Sequence, residues 1–268
     1  MSSISCGAER AAELADNLQE IRLSIQQSQQ AIDRQTEVTL VAVSKLKPAS
    51  DVQGCYEAGQ RAFGENYVQE LCEKAPQLAS DIEWHFIGTL QSNKCKALAE
   101  IPNIAAVHTV TSAKAATTLN KHLPASRATL LDILLQVNTS GEASKSGLAP
   151  LATDSGADVA DGSDLTQLAL HVVRDCPRLR LVGLMTIGAL GASLGSNDRE
   201  GNQDFISLVN TRNALQVVLS EQAAGKTWGR DGQLLLSMGM SSDYDAAIKA
   251  GSDVVRVGTS IFGTRQKK

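Results

Sequence analysis

The hydrophobic residues of this chain fall into eight short runs, and the stretches between successive runs have the mixed polar and apolar pattern of helices. Several runs are continuously apolar, as expected for strands of a parallel sheet covered on both faces. The predicted strands are TLVAVS (39–44), RAFG (61–64), WHFIG (84–88), IAAVHTV (104–110), TLLDILLQV (129–137), LRLVGLMTI (179–187), QLLLSMG (233–239) and DVVRVG (253–258).

Eight strand–helix units in 268 residues predict an α/β fold of the (β/α)8 (TIM) barrel type, which typically needs ~250 residues. A doubly wound open sheet is the alternative. The barrel is expected to be a single domain over 1–268, with an extra N-terminal helical segment at 1–36 whose helix covers residues 8–34. Residues 149–164 and 189–203 are rich in Gly, Ser, Ala and Asp, and we interpret them as loop insertions after the fifth and sixth strands.

Composition argues against a nucleic-acid-binding, secreted or membrane-spanning protein. The chain has 25 basic and 29 acidic residues, a net charge of −4 and 3% aromatic residues, so a nucleic-acid partner is not expected. It has no secretory signal and no run of the ~18 apolar residues that cross a membrane, so we expect a cytoplasmic protein. The scattered cysteines favour free thiols over a disulfide framework or a metal site. They are Cys6, Cys55, Cys72, Cys95 and Cys176.

Polar and charged residues gather at the carboxyl ends of the predicted strands, which form the functional face of such a barrel. Glycine- and serine-rich turns, SMGMSSD (237–243) and GTSIFG (258–263), follow the seventh and eighth strands. Barrels often bind phosphate there, because small residues let backbone N–H groups approach the anion. Ordinary strand–helix turns with helix caps are the alternative interpretation.

Lys45 follows the first strand, where side chains converge over the barrel mouth. Most lysines are solvated surface charges, but one that is partly desolvated has a lowered pKa and can form a Schiff base. A ligand with both an aldehyde and a phosphate would fit Lys45 and the two turns, and pyridoxal 5′-phosphate (PLP) is such a molecule. Arg256, in DVVRVGT, could then face the pyridine nitrogen and disfavour its protonation. A structural arginine is the alternative, and the residues alone do not select PLP over other phosphorylated carbonyl compounds.

Six blocks, in order along the chain, resemble the YggS/PROSC family of PLP-binding proteins. The blocks are VAVSKLKP (41–48), FGENYVQE (63–70), WHFIGTLQSNK (84–94), VNTSGEASKSG (137–147), GLMTIG (183–188) and LSMGMSSDYDAAIKAGSDVVRVGTSIFGTR (236–265). The resemblance implies a barrel like the amino-terminal domain of alanine racemase, with PLP held as a Schiff base on Lys45. It implies further cofactor-binding residues, namely Asn66, Ser241, Gly258 and Thr259 at or near the phosphate, Arg256 at the pyridine nitrogen, Met185 close to the cofactor and His85 near the pocket.

The resemblance also implies a function in PLP homeostasis, as a carrier, reservoir or regulator without demonstrated turnover. Candidate recipients are apo forms of PLP-dependent enzymes, and a monomer is expected, with a weak dimer as the alternative. No tyrosine follows the barrel in this sequence, whereas alanine racemase takes a catalytic tyrosine from its second domain, so racemisation is disfavoured. A weak amino-acid racemase remains the alternative function. A third hypothesis is an aldolase-type barrel in which Lys45 acts on a sugar phosphate and Glu65 supplies a carboxylate.

Overall fold

Eight parallel strands close into a barrel in the order β1 to β8, with β8 paired to β1. This computed structural model describes residues 4–142, 145–151, 162–188 and 202–264. The closed barrel confirms the predicted fold, and the doubly wound sheet was the wrong alternative. The strands are β1 (Thr39–Val43), β2 (Ala62–Glu65), β3 (Glu83–Phe86), β4 (Ile104–Val110), β5 (Leu131–Gln136), β6 (Leu179–Met185), β7 (Leu235–Ser237) and β8 (Val254–Val257).

Helices follow the strands and cover the outside of the barrel. Two of them begin at a serine whose hydroxyl accepts a hydrogen bond from the first helical turn, Ser112 and Ser163. The helices are α1 (Ala8–Gln30), α2 (Ala49–Glu57), α3 (Val68–Lys74), α4 (Cys95–Ala99), α5 (Ala113–His122), α6 (Asp164–Asp175), α7 (Gln203–Gln222), α8 (Tyr244–Lys249) and α9 (Thr259–Phe262).

The main hydrophobic core lies between the strands and the surrounding helices, because alternate strand residues point outward into that layer. Its largest fully buried side chains include Phe63, Trp84, Phe86 and Phe205. The strand residues between the outward-pointing ones point into the barrel. Inside it, a separate apolar cluster is formed by Ala106, Leu134, Val182 and Met185. Each strand is therefore buried on two faces, which explains why several strands are continuously apolar in sequence.

Helix α1 precedes the barrel and packs on α2, α8 and α9. Leu14, Leu18 and Ile21 are buried on one of its faces. Its polar residues also hold the last turn of the described chain, because Asn17 Nδ2 donates to Ile261 O (2.9 Å) and Arg10 donates to the carbonyl of Phe262 (2.9 Å). The N-terminal helix thus supports the backbone that follows β8.

Differences from the sequence-based prediction lie at the ends of the elements. All eight predicted strands occur, but most of them extend less far than predicted at one end or both, and β1 ends at Val43, before Ser44 and Lys45. Helix α1 ends at Gln30 instead of residue 34, because the chain turns there and Asp33 has a positive φ of 50°. Within the predicted insertions 149–164 and 189–203, residues 152–161 and 189–201 lie outside the described residues. No helix in the described ranges is long and apolar enough to cross a membrane.

The contact between β6 and β7 depends on a glycine. Gly183 pairs with Leu235, and a Cβ at residue 183 would lie 2.2 Å from the carbonyl oxygen of Leu235. We expect Gly183→Ala to lower the free energy of unfolding by about 3 kcal/mol, because the two strands must move apart. Urea unfolding measures this change. Gly162→Ala is the control, since a Cβ there meets nothing within 4 Å among the described residues, and equal unfolding midpoints for the two variants would contradict the prediction.

Candidate functional site

A cavity of about 530 Å³ opens at the carboxyl end of the barrel. This volume lies within the ~300–1,000 Å³ typical of small-molecule sites. Its walls come from the ends of β1, β2, β3, β6 and β8 and from the turn that follows β7. The lining residues are Val43, Lys45, Lys47, Asn66, Ile87, Met185, Ile187, Met240, Ser241, Ser242, Arg256, Gly258, Thr259, Ser260, Phe262 and Gly263.

Seven of the eight residues predicted to bind a cofactor line this cavity, although they come from widely separated parts of the chain. The seven are Lys45, Asn66, Met185, Ser241, Arg256, Gly258 and Thr259. The eighth, His85, is not among the lining residues; it lies on β3 and connects to the site through other side chains. The binding roles of all eight residues stay predictions.

Lys45 is carried by a tight turn immediately after β1. The N–H of Lys47 donates to the carbonyl of Ser44 (3.1 Å), and Leu46 has a φ of +60° while Lys45 does not have a positive φ. A turn with a positive φ only at its third residue is of type II, a position that usually holds glycine or asparagine. This backbone sets Lys45 at the second position of the turn, where it lines the cavity.

The two turns predicted to bind phosphate lie side by side. The hydroxyl of Ser241, after β7, accepts a hydrogen bond from the N–H of Gly258, after β8 (3.2 Å). A Cβ at Gly258 would lie 3.2 Å from Val43 O, which is a tight contact, so glycine favours the close approach of this turn to β1. Helix α9 begins at Thr259, and the first N–H groups of a helix have no acceptor within it. Hydroxyl and backbone donors therefore converge on one wall of the cavity.

Asn66 brings an unsatisfied polar atom to the site. Its Oδ1 is buried and meets no hydrogen-bond partner among the residues that the structure describes. Buried polar atoms are almost always hydrogen-bonded, so an exception in a cavity wall indicates a missing partner. The loop after β3 packs closely against the backbone of Asn66. A Cβ at Gly88 would lie 1.9 Å from the backbone oxygen of Asn66, so this approach requires glycine.

Arg256 places a buried cation at the base of the cavity. One of its terminal nitrogens donates to Ser237 Oγ (2.6 Å) and the other to the carbonyl of Thr186 (2.7 Å). Burial lowers the pKa of Arg256 to about 10, against the opposing effect of Asp243, so the guanidinium keeps its charge at neutral pH. Both acceptors, the serine hydroxyl and the backbone carbonyl, are neutral. The positive charge of Arg256 therefore attracts electron-rich groups of a ligand in the cavity.

A chain of hydrogen bonds runs from Arg256 into the barrel interior. Ser237 Oγ lies 3.0 Å from His108 Nδ1, and His108 Nε2 lies 2.9 Å from His85 Nδ1. Burial lowers the pKa of His85 to about 4, with a further contribution from Arg230. The pKa of His108 is also well below its usual value because of burial, His85 and Arg256. Both imidazoles are therefore neutral at pH 7.

The direction of these hydrogen bonds follows from Arg256, which can only donate. Ser237 Oγ accepts from it, so the buried serine hydroxyl is satisfied when it donates to His108 Nδ1. His108 then carries its proton on Nε2 and donates to Nδ1 of His85. This assignment gives each of the three contacts one donor and one acceptor.

Sequence patterns missed several of these residues. Lys47 is not among the predicted site residues, yet it lines the cavity and its Nζ donates to the carbonyls of Phe262 (2.8 Å) and Thr264 (3.1 Å). His108 is also absent from the predicted site residues, and its spacing from His85 is not that of a metal-ligand pair. The alternation of inward and outward residues along β4 could have identified His108, because it occupies an inward position. Two inward histidines on neighbouring strands can contact each other, as His85 and His108 do.

The three tyrosines lie outside the cavity wall. The hydroxyl of Tyr56 bonds to Asp81 (2.8 Å), and that of Tyr244 bonds to Ser24 on α1 (2.9 Å). Tyr67 is 52% exposed and lines a neighbouring surface depression. Each tyrosine thus has a location that is separate from the predicted cofactor site.

The neutral histidine pair should make stability depend on pH. Because both folded-state pKa values lie below the ~6.5 of an unfolded histidine, the unfolded chain binds more protons as the pH falls from 6.5 towards 4, and stability is lost there. Replacing either histidine by asparagine should reduce the slope by up to about 1.4 kcal/mol per pH unit. Urea unfolding across this range measures the slope. Curves for wild type and variants that remain parallel would contradict the assignment.

Comparison with known proteins identifies the family to which this chain belongs. The model of the alanine racemase N-terminal domain matches residues 17–266. The pyridoxal phosphate homeostasis protein of Schizosaccharomyces pombe is 43% identical to this chain over 245 residues, which cover 91% of this chain and 90% of that protein. Among solved structures, PipY of Synechococcus elongatus PCC7942, a COG0325 family member with PLP bound, is 29% identical, with a TM-score of 0.64, and the match covers 93% of this chain and 100% of PipY.

A more distant structure shows the fold alone. Alanine racemase from Corynebacterium glutamicum is 16% identical with a TM-score of 0.61, and the match covers 95% of this chain and 62% of the racemase. The family model and the close relative agree with the blocks that resembled YggS/PROSC proteins. The chain therefore belongs to the alanine racemase N-terminal domain family, among its pyridoxal phosphate homeostasis proteins.

Proposed function

We propose that this protein binds PLP as a Schiff base on Lys45 and acts in intracellular PLP homeostasis as a carrier, reservoir or regulator. The observation that carries the proposal is that one cavity joins Lys45, a buried guanidinium and two adjoining donor-rich turns. The PLP-bound structure of the relative PipY supports the choice of ligand over other phosphorylated carbonyl compounds.

Lys45 supplies the covalent anchor in this proposal. The Lys45 amine would hold PLP through a C=N bond to its aldehyde carbon, and formation of that bond releases one water molecule. The reaction is reversible, because water restores both the amine and the aldehyde. Leu46, which follows Lys45, is 55% exposed, and Ile187 in the cavity wall is 41% exposed. This accessibility supports loading and release without a large opening of the barrel.

The turns after β7 and β8 would bind the phosphate. Ser241, Gly258 and Thr259 offer hydroxyl and backbone donors on one wall, and a helix begins at Thr259. Asn66 stands in the same cavity with an orphaned amide oxygen. An amide can be turned by 180°, which would present its N–H₂ group to an anion. The site therefore fits a phosphate ester, and Met185 adds an apolar contact for the ring.

Arg256 would face the pyridine nitrogen. A guanidinium that keeps its charge opposes a second positive charge beside it, so the ring nitrogen stays unprotonated. When bound, PLP supplies an electron-withdrawing ring, and an unprotonated ring is the weaker electron sink. Ser237 and His108 orient the guanidinium, and His85 acts one step further away. This arrangement supports storage of PLP over turnover of an amino acid.

We propose further that the protein is a cytoplasmic monomer that passes PLP to apo forms of PLP-dependent enzymes. Its cysteines are free thiols, as expected in a reducing compartment. The locations of the three tyrosines, away from the cavity wall, support binding over a weak racemase activity. The carboxylate of Glu65, which an aldolase would need, is buried and bonds to Ser44 and Lys74.

Borohydride reduction tests whether Lys45 forms the covalent bond to PLP. After incubation with PLP and borohydride, we expect a stable pyridoxyl group on Lys45, because reduction converts the C=N bond into an amine that no longer hydrolyses. Peptide mass spectrometry locates the group, and the visible absorbance of bound PLP should disappear on reduction. Lys45→Ala should abolish both signals, whereas the control Lys94→Ala, at an exposed lysine, should retain both of them.

Two results would contradict this proposal. Labelling that persists in Lys45→Ala would place the anchor elsewhere. Repeated conversion of L-alanine to D-alanine by the PLP-loaded protein would instead support the racemase alternative, because a carrier shifts bound PLP without accumulating product.

The phosphate wall can be tested with Thr259→Val, which removes a hydroxyl at nearly constant shape. We expect the affinity for PLP to fall about tenfold, the effect of one hydrogen bond to a charged group. The affinity for pyridoxal, which lacks the phosphate, should stay unchanged. Spectroscopic titration measures both affinities. Equal losses for PLP and pyridoxal would mean that Thr259 supports the shape of the cavity and does not bind phosphate.

A further inference from the structure

A buried ion cluster contacts the turn that carries Lys45. Lys74 is the last residue of α3, its side chain is only 8% exposed, and its Nζ donates to Ser44 O (2.9 Å), Glu65 Oε1 (2.7 Å) and Glu70 Oε1 (2.6 Å). An ammonium group has three N–H donors, so these acceptors use all of them. We call Ser44, Glu65, Glu70 and Lys74 the Lys74 cluster.

The Lys74 cluster holds the backbone on both sides of Lys45. The carbonyl of Ser44, which precedes Lys45, accepts from Lys74. The N–H of Leu46, which follows Lys45, donates to Glu70 Oε1 (2.7 Å). Ser44 is bound a second time, because its hydroxyl donates to Glu65 Oε1 (2.7 Å). Both peptide groups that flank the α-carbon of Lys45 are therefore tied to one ammonium–carboxylate network.

The turn itself has a conformation that its sequence disfavours. Leu46 has a φ of +60°, a region that a branched aliphatic residue rarely occupies because its Cβ crowds the backbone. Its side chain is 55% exposed, so burial of the leucine does not compensate. A disfavoured conformation persists where surrounding contacts determine it, and such positions cluster at functional sites. The hydrogen bond from Leu46 to Glu70 is one such contact.

Stability alone does not account for the cluster. Glu65 is fully buried, its Oε2 has no hydrogen-bond partner among the described residues, and burial raises its pKa against the opposing effect of Lys74. Buried ion pairs are often no more stabilising than apolar residues of the same volume. What the ions provide here, and apolar side chains could not, is hydrogen bonds to the backbone beside Lys45.

We propose that Lys74 and Glu70 are positioning residues that aim Lys45 at the PLP aldehyde by fixing the turn from Ser44 to Lys47. This inference rests on the proposed function, since it assigns the geometry that Schiff-base formation needs. Lys74 and Glu70 are absent from the cavity wall, so they act on the ligand through Lys45 and not by contact.

Two ligands separate positioning from general structural support. PLP binds through its phosphate, its ring and Lys45, whereas pyridoxine 5′-phosphate has an alcohol in place of the aldehyde and cannot bond to Lys45. Each of the variants Lys74→Met and Glu70→Ala loses one of the two hydrogen bonds from the cluster to the peptide groups beside Lys45, so we expect the affinity for PLP to fall about tenfold. The affinity for pyridoxine 5′-phosphate should stay at its wild-type value.

Matched variants complete the experiment. Glu73→Ala removes an exposed carboxylate from the same helix and should bind both ligands as the wild type does. Glu70→Gln keeps an oxygen that can accept from Leu46 and should recover most of the PLP affinity that Glu70→Ala loses. Borohydride trapping of PLP on Lys45 should fall in Lys74→Met and Glu70→Ala, and circular dichroism with urea unfolding identifies any variant that does not fold.

Each outcome supports or overturns a specific statement. Parallel loss of both ligands, or unchanged PLP affinity in the folded variants, would overturn the positioning role. If Lys74→Met does not fold, Glu70→Ala decides, because Glu70 lies nearer the surface, with a side chain 19% exposed. Failure of the wild-type protein to trap PLP on Lys45 would instead overturn the proposed function, and the positioning role with it.

Discussion

Closure of the sheet, by pairing of β1 with β8, is the constraint on which the rest of this structure depends. The pairing sets Val41 opposite Arg256, and it brings the turn after β1 next to the turn after β8. Lys45 and Gly258 come from opposite ends of the described chain, yet both line one cavity. Because all strands are parallel, every carboxyl end lies on the same rim. An open sheet would leave the two outer strands apart, and this cavity would not exist.

Two buried cations, Arg256 on β8 and Lys74 on α3, are each held by specific hydrogen bonds. Arg256 is held by a serine hydroxyl and a backbone carbonyl, and Lys74 by two carboxylates and a carbonyl. Burial of such groups costs free energy that only well-formed hydrogen bonds offset. Apart from Glu70, which lies on α3, the partners are backbone or side-chain atoms at strand ends. The same bonds that make the charges tolerable also fix the geometry of the site.

Local patterns predicted the barrel and its eight strands, and the rule that strands end at a common rim placed Lys45, Arg256 and the turns with Ser241, Gly258 and Thr259 together. Asn66 and Met185, which also line the cavity, were implied by the family resemblance. The sequence did not predict the partners of those residues. His85 pairs with Ala106 on β4, and His108 lies two residues further along that strand, so the two imidazoles meet through a strand register that spacing along the chain does not specify. Lys74 has the sequence context of an ordinary helical surface lysine, and only the packing of α3 against the end of β1 buries it.

The proposed site combines residues that would bind PLP without a covalent bond and one residue, Lys45, that would bind it reversibly through a covalent bond. Under the proposed function, the phosphate wall and Arg256 bind without covalent chemistry, and Lys45 adds a bond that water can reverse. The rim beside Lys45 is open, as the exposure of Leu46 indicates, whereas the backbone beneath the rim is held by a buried network. A flexible anchor would lose entropy each time it bonded to PLP, and pre-organisation reduces that cost without adding contacts to the ligand. A rigid turn in an accessible rim therefore allows firm binding and release from the same site.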